Sequence, residues 1–176
     1  MQAVVMQALA MQAVATEPVA MAPPRGSSGG ENALHAGAMQ LDFALDPRLA
    51  ADTIPVGDLA LSHVLLMDDA RFPWLILVPR RAGASEITDL GETDAADLWG
   101  EIRIATGVMQ ALSRPDKVNV AALGNVVAQL HVHVVGRFRS DPAWPGPVWG
   151  HGERRPYPPH ARAQLVERAA ALFAAA

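Results

Sequence analysis

In the segment Gln129-Leu-His131-Val-His133-Val-Val135, polar side chains alternate with branched aliphatic ones. Strand side chains change face with a period of two. Gln129, His131 and His133 are therefore expected to line one face as a row, with Leu130, Val132 and Val134 anchored in a core on the other. Two imidazoles side by side on a rigid strand are seldom needed to hold a fold together. They suit chemistry, because imidazole acts near neutral pH as nucleophile, acid, base or metal ligand. Strand rise puts the two rings roughly 7 Å apart. Two chemistries are open to the pair. In one, a ring attacks as a nucleophile and its neighbour assists. In the other, His-x-His directs both rings at one zinc ion. A zinc site needs a third ligand, and the chain has no cysteine, so only His151, His160 or a carboxylate is available, none at a motif-like spacing.

Further polar residues frame the row: Lys117-Val-Asn119-Val, then Gly124-Asn125 before it, and Trp144-Pro-Gly146 after it. Together these residues resemble the histidine triad (HIT) family of nucleotide hydrolases and transferases, whose signature is His-φ-His-φ-His-φ-φ with φ apolar. The resemblance spans roughly residues 40–150. It implies an α+β fold, with a HIT-like antiparallel sheet, one long central helix and a C-terminal helix, paired through strand and helix into a homodimer.

The resemblance also assigns roles. His131 matches the middle His, the nucleophile, whose ring nitrogen attacks the α-phosphorus of a nucleotide to form a covalent nucleotidyl-imidazole. Water or another acceptor then releases the nucleoside monophosphate. The attacking nitrogen must stay unprotonated, so the other ring nitrogen is expected to donate to a backbone carbonyl. His133 matches the last His and is placed to hydrogen-bond a phosphate oxygen or the bridging atom of the leaving group. Gln129 departs from the pattern, standing where the first His belongs. Its amide can donate to phosphate but cannot carry charge or shuttle a proton, and a histidine restored there is expected to leave the rate unchanged or raise it. Asn119 falls at an amide position beside the scissile phosphate. Gly124 and Asn125 match a Gly-amide pair at which the backbone approaches phosphate closely, although a simple turn also explains them. Val126 replaces a hydroxyl found in many members. Asp68 or Asp69 falls where relatives bind the ribose hydroxyls with a carboxylate, and Asp is equally common in hairpin turns. Trp74 stands near a further histidine of relatives. Trp144 resembles the Trp-Pro region on the leaving-group side or is a packing plug, and Trp149 has the weaker claim. The implied activity is that of a nucleoside phosphoramidase or dinucleoside polyphosphate hydrolase with no cofactor. A nucleotidyltransferase, a nucleotide-binding protein with little turnover and the zinc enzyme are the alternatives.

The elements that must position these residues can be read locally. Asp46-Pro47 suits a helix start, with Asp46 as N-cap and Pro47 at the first helical position. Leu61–Met67 and Trp74–Val78 read as strands joined by a turn at 68–72, an antiparallel hairpin. Thr93 is the expected cap of a long helix with acidic residues in its first turn. Leu98, Ile102, Ala105, Val108, Met109 and Leu112 recur at helical spacing until Pro115. Val118–Leu123 and Leu130–Arg137 form a second strand pair, residues 141–150 are too rich in Pro and Gly to be regular, and residues 160–174 form a closing Ala-rich helix. Hairpin, helix and hairpin make an α+β domain.

The 176 residues amount to one domain, expected over 39–176. A net charge of −4 argues against a polymeric nucleic-acid partner, which calls for clustered Lys and Arg. Arg80-Arg81 or Arg154-Arg155 could still meet one nucleotide. The absence of cysteine excludes disulfides, thiolate metal sites and a Cys nucleophile, and is compatible with a cytoplasmic location. No segment has the length and apolarity of a membrane span. Residues 1–38, with a five-residue Met-Gln-Ala repeat and then Pro23-Pro-Arg-Gly-Ser-Ser-Gly-Gly30, read as a disordered N-terminal extension.

Overall fold

The computed structural model describes residues 43–176, so the expectation for residues 1–38 lies outside the described residues. Asp46 caps the first helix, α1 (Pro47–Asp52): its carboxylate accepts the Arg48 N–H at 2.8 Å, and Pro47 occupies the first turn where its missing N–H costs nothing. Strands β1 (Thr53–Asp58), β2 (Ser62–Met67) and β3 (Trp74–Pro79) follow. A 3-10 turn (Ile87–Asp89) leads into the long helix α2 (Glu92–Ser113). Strands β4 (Lys117–Ala121) and β5 (Val132–Arg137) and helix α3 (Pro159–Ala174) complete the chain.

The five strands form one sheet in the order β1-β2-β3-β5-β4, every neighbouring pair antiparallel. The architecture is α+β, as expected, with two departures in detail. β1 is not among the expected strands; it carries Pro55 and Gly57, two residues that weaken a strand interior. The sheet tolerates both at its outer edge, where a proline forfeits no ladder bond and the register shifts between Pro55 and Gly57. The cap of α2 is Gly91 rather than Thr93. The first turn closes when the Ala95 N–H reaches the Gly91 carbonyl at 2.9 Å, which leaves Thr93 inside the helix, between Glu92 and Asp94 in an acidic first turn. At the other end Arg114 adopts a left-handed conformation ahead of Pro115, and the helix stops.

Both central strands, β3 and β5, are buried along their whole length, so the sheet separates two apolar layers. On one face Leu66, Leu75, Leu77, Val132 and Val134 pack with Leu98, Ile102, Ala105 and Met109 of α2, and Leu165 and Phe173 of α3 join them. On the other face Leu65, Trp74, Ile76 and Val135 pack with Leu49 of α1 and with Phe72, Ala143 and Val148 from loops. Alternation along β5 sends His133 and Arg137 toward this second, loop-covered face.

Gly136 faces α2 at close range. A Cβ placed there would lie 2.9 Å from Met109 Sδ and 3.1 Å from Ser113 Oγ, both on α2. Such a methyl group has no room unless the buried Met109 side chain repacks. Gly136→Ala is therefore expected to destabilise the fold by about 1–3 kcal/mol, read as a lower midpoint in chemical denaturation, and a stability equal to that of the parent chain would contradict this packing.

Candidate active site

His131 immediately precedes the hydrogen-bonded part of β5, and His133 is its second residue. The alternation of faces nonetheless continues upstream, since Leu130 is buried in the helix-side core. The two rings meet edge to face with centroids 4.7 Å apart, and both are buried.

Their hydrogen bonds set where the protons sit. His131 Nδ1 lies 2.7 Å from the carbonyl oxygen of Gln129. A carbonyl can only accept, so Nδ1 carries the hydrogen and, in the neutral ring, Nε2 keeps its lone pair. For His133 the logic reverses. The indole Nε1–H of Trp74 donates to His133 Nδ1 at 3.0 Å, and an indole can only donate. His133 Nδ1 is therefore the acceptor and its hydrogen sits on Nε2. Burial, with a smaller contribution from neighbouring His131, pushes the His133 pKa down to about 3, so this ring stays uncharged at neutral pH. Adjacent rings thus hold opposite tautomers, one with a bare ring nitrogen and one with a ring N–H. Trp149 closes the group, edge-on to Trp74 and His133 with centroids 5.9 and 5.5 Å away.

Both histidines line a cavity of about 440 Å³, within the range of small-molecule sites. Its floor is the sheet, through Trp74 and Ile76; one wall is α1, through Arg48, Leu49 and Asp52. A second wall is the loop Leu123–Val127, and the third is the strap Val148–Arg154. Three arginines, Arg48, Arg71 and Arg154, reach this space. Arg71 is committed to Asp69 through Nε and through Nη2 at 2.6 Å. Burial by itself would raise the Asp69 carboxyl, but hydrogen bonds from the Arg71 side chain and from the backbone of Arg71 and Arg155 outweigh it and hold the group below the usual carboxylate range. Arg154 pairs with Asp52 at 3.1 Å. The Arg48 guanidinium donates to the Val126 carbonyl at 3.0 Å, and no carboxylate pairs with that guanidinium among the described residues.

The structure gathers some of the expected residues and not others. Gly124, at φ +70°, and Asn125 line the cavity with the histidines. Asn119 shares their face of the sheet, opposite Val135, but its Oδ1 accepts from Arg137 Nη1 at 2.8 Å, outside the lining. Asp68 turns away, accepting the Tyr157 N–H at 2.8 Å, while Asp69 is the member of the pair at the cavity. The tryptophans exchange places: Trp144 lies over the Arg137 guanidinium, 5.8 Å from its ring centroid, and Trp149 is in the wall. The Gln129 amide reaches neither histidine's ring nor the cavity; it bonds the backbone of Ala44 and Asp46.

Arg80 and Arg81 serve backbone carbonyls and Asp94 instead of the cavity. His63 pairs with Asp58 on the β1–β2 edge, and His160 begins α3. Sequence reasoning passed over Arg48, Arg71 and Asp52. A signal for Arg48 existed, since the Asp46-Pro47 cap dictates that a helix starts there, but not that this helix leans on the sheet beside His131. Among the described residues no group of three or more His, Cys, Asp or Glu side chains is arranged to hold a metal ion, and no helix is long and apolar enough to cross a membrane.

Comparison with known proteins agrees with this geometry. No curated protein matches the chain at a significant level. Among solved structures, a histidine triad protein from Marinobacter aquaeolei is 44% identical, with a TM-score of 0.74 over 76% of this chain and 97% of that one. One from Bradyrhizobium japonicum is 43% identical, with a TM-score of 0.73 over 74% and 98%. A third, from Sinorhizobium meliloti, is 44% identical, with a TM-score of 0.72 over 74% and 96%. A Zn-bound family protein from Mycobacterium smegmatis, at 16% identity and a TM-score of 0.53, shares the fold. The HIT domain model matches residues 48–140, more than half of the chain, and ends before the strap that completes the cavity. The chain belongs to the histidine triad family.

Proposed function

We propose that this protein cleaves a bond at the α-phosphate of a nucleotide through a covalent nucleotidyl-His131 intermediate, releasing a nucleoside monophosphate. The observation that carries this reading is the pair of opposite tautomers. In the first step the Nε2 lone pair of His131 forms a bond to the α-phosphorus while the bond to the leaving group breaks. That group departs with the bonding electrons and takes up a proton. His133, neutral with its hydrogen on Nε2, is suited to donate a hydrogen bond to the departing atom or to a phosphate oxygen without adding charge to the site, while solvent supplies the proton that the leaving group takes up. In the second step water, or another acceptor, forms a new bond to phosphorus and gives up a proton to solvent, while the phosphorus–Nε2 bond breaks and His131 recovers its lone pair.

The cavity supports the same reading. Arg48 supplies a cation not neutralised by a carboxylate among the described residues, and Leu49, Ile76 and Val127 supply apolar surface for a base. Gly124 and Asn125 sit beside the histidines, where backbone and amide donors serve phosphate oxygens. Nucleoside phosphoramidates and dinucleoside polyphosphates are the proposed substrates. In this reading Gln129 stands where the family signature has its first His. The outer edge of β4, which ends the sheet, is where a second copy would add a strand in the proposed homodimer.

Removing the nucleophile should abolish turnover without unfolding the chain. His131→Ala is expected to lower the rate on adenosine phosphoramidate or diadenosine tetraphosphate by at least about 10³-fold with an unchanged circular dichroism spectrum. Mass spectrometry of the parent protein quenched and digested at alkaline pH, where a phosphorus–nitrogen bond survives, should show an adenylylated peptide containing His131, and near-normal turnover by His131→Ala would falsify the covalent step.

The tautomers can be checked independently by ¹⁵N NMR of the two rings. Nδ1 of His131 and Nε2 of His133 should be protonated, and His133 should show no titration between roughly pH 5 and 8, because its pKa of about 3 lies below that window. Trp74→Phe removes a hydrogen bond that favours the neutral ring, so the His133 pKa should rise. Loss of that bond should also lower the rate about fivefold, the equivalent of about 1 kcal/mol. An unaltered titration in Trp74→Phe would show that the indole does not set the tautomer.

A further inference from the structure

Gln129 is the point at which this chain leaves the family signature, and both the oxygen and the nitrogen of its amide are engaged away from the cavity. Nε2 donates to the Ala44 carbonyl at 2.8 Å, and Oε1 accepts the Asp46 N–H at 2.9 Å. A carboxamide holds one N–H and one oxygen on the same edge of a rigid plane, so it can engage a carbonyl and an N–H two residues apart, much as the N–H and C=O of a single residue on a neighbouring strand do. An imidazole cannot do this. Its two nitrogens point in diverging directions, so a ring that donates to Ala44 cannot also accept from Asp46.

The segment held in this way is the entry to α1. Asp46 caps the helix, and after Pro47 come Arg48 and Leu49, both in the cavity wall. Arg48 in turn reaches across to the Val126 carbonyl at 3.0 Å, which joins α1 to the Gly124–Val127 loop. On its main chain, Gln129 supplies the carbonyl that accepts from His131 Nδ1. One residue thus links the arm ahead of α1, the arginine at the cavity and the ring with the bare nitrogen.

From this geometry we infer that Gln129 is a positioning residue, whose amide fastens Ala44 and Asp46 and so sets Arg48 and Leu49 against the cavity, and that it does not donate to phosphate. This deepens the nucleotide reading and, for its effect on turnover, rests on it. It also reverses the expectation drawn from the signature alone. Restoring histidine at 129 loses the clamp, and the rate falls.

The test uses the full chain with Gln129→His, Gln129→Leu and Gln129→Glu, and reads amide hydrogen exchange over residues 43–50 beside AMP affinity and turnover. Exchange over this segment should accelerate at least about tenfold in the His and Leu variants, because these amides open locally once the clamp is gone. AMP affinity should weaken at least about fivefold. Gln129→Glu adds a readout that a general loss of packing does not move. Ionised, it sets an anion against the Ala44 carbonyl; protonated, it again offers one donor and one acceptor. Protection over residues 43–50 relative to the parent chain should therefore return as the pH falls toward the ordinary glutamic acid value of about 4.3. Unchanged exchange over 43–50 in Gln129→His, turnover equal to or above the parent's in that variant, or a pH-independent Gln129→Glu would each overturn the inference. If the parent chain neither binds AMP nor forms the adduct, the nucleotide reading fails, and the exchange measurement still decides whether the clamp exists.

Discussion

A neutral imidazole has one proton to place on two nitrogens, and which nitrogen receives it decides what the ring can do. Here the 2.7 Å bond from His131 to the carbonyl two residues earlier places it on Nδ1. That carbonyl belongs to Gln129, a backbone group that the sheet does not use, because the β5 ladder starts only at Val132. Had the strand continued upstream, the carbonyl could have been spent on a neighbouring strand. The chemistry at His131 thus depends on where a ladder begins. Trp74 completes the arrangement from the neighbouring strand by filling Nδ1 of His133.

The two faces of the sheet are built differently, and the difference explains where a cavity can exist. On the helix face α2 and α3 cover the strands, their side chains packing with those of β3 and β5 into one apolar cluster. The opposite face is covered by α1 and by loops, and pieces of irregular chain seldom tile a surface completely. They must also be held in place individually. Arg137 and Asp141, both nearly inaccessible, pair at 2.8 Å, and Arg137 binds the Gly146 carbonyl, so one buried ion pair fixes the loop that leads to Trp149. Asp69 and Arg71 do the same for the strap, where Arg71 donates to the His151 carbonyl and Asp69 accepts the Arg155 N–H. Buried pairs of this kind add little net stability compared with an apolar replacement, but removing one partner costs about 3–5 kcal/mol. Their role here is to select one loop conformation.

Several features could be read directly from residue order. The stripe Leu98–Leu112 defines α2, the Asp46-Pro47 pair defines the start of α1, and the alternation from Gln129 to Val135 places the two histidines on one face. Each rests on a short-range rule of side-chain period or capping, so a local window suffices. β1 escaped because its Pro and Gly carry a local meaning that only an edge position overrides.

Residue order also settled that two imidazoles would stand together, since their spacing and the pleat of a strand leave no other outcome. It could not settle which carboxylate, tryptophan or arginine would join them. Asp68 and Asp69 are neighbours with the same chemistry, yet one accepts from Tyr157 and the other enters the cavity wall. Trp144 and Trp149 lie in one loop, and only the second meets His133. Gln129 looked like a substitute histidine until its amide was found on Ala44 and Asp46, 85 and 83 residues away in the chain. Those outcomes depend on contacts between segments far apart in sequence, and a pairing across such distances leaves no period or spacing to be read.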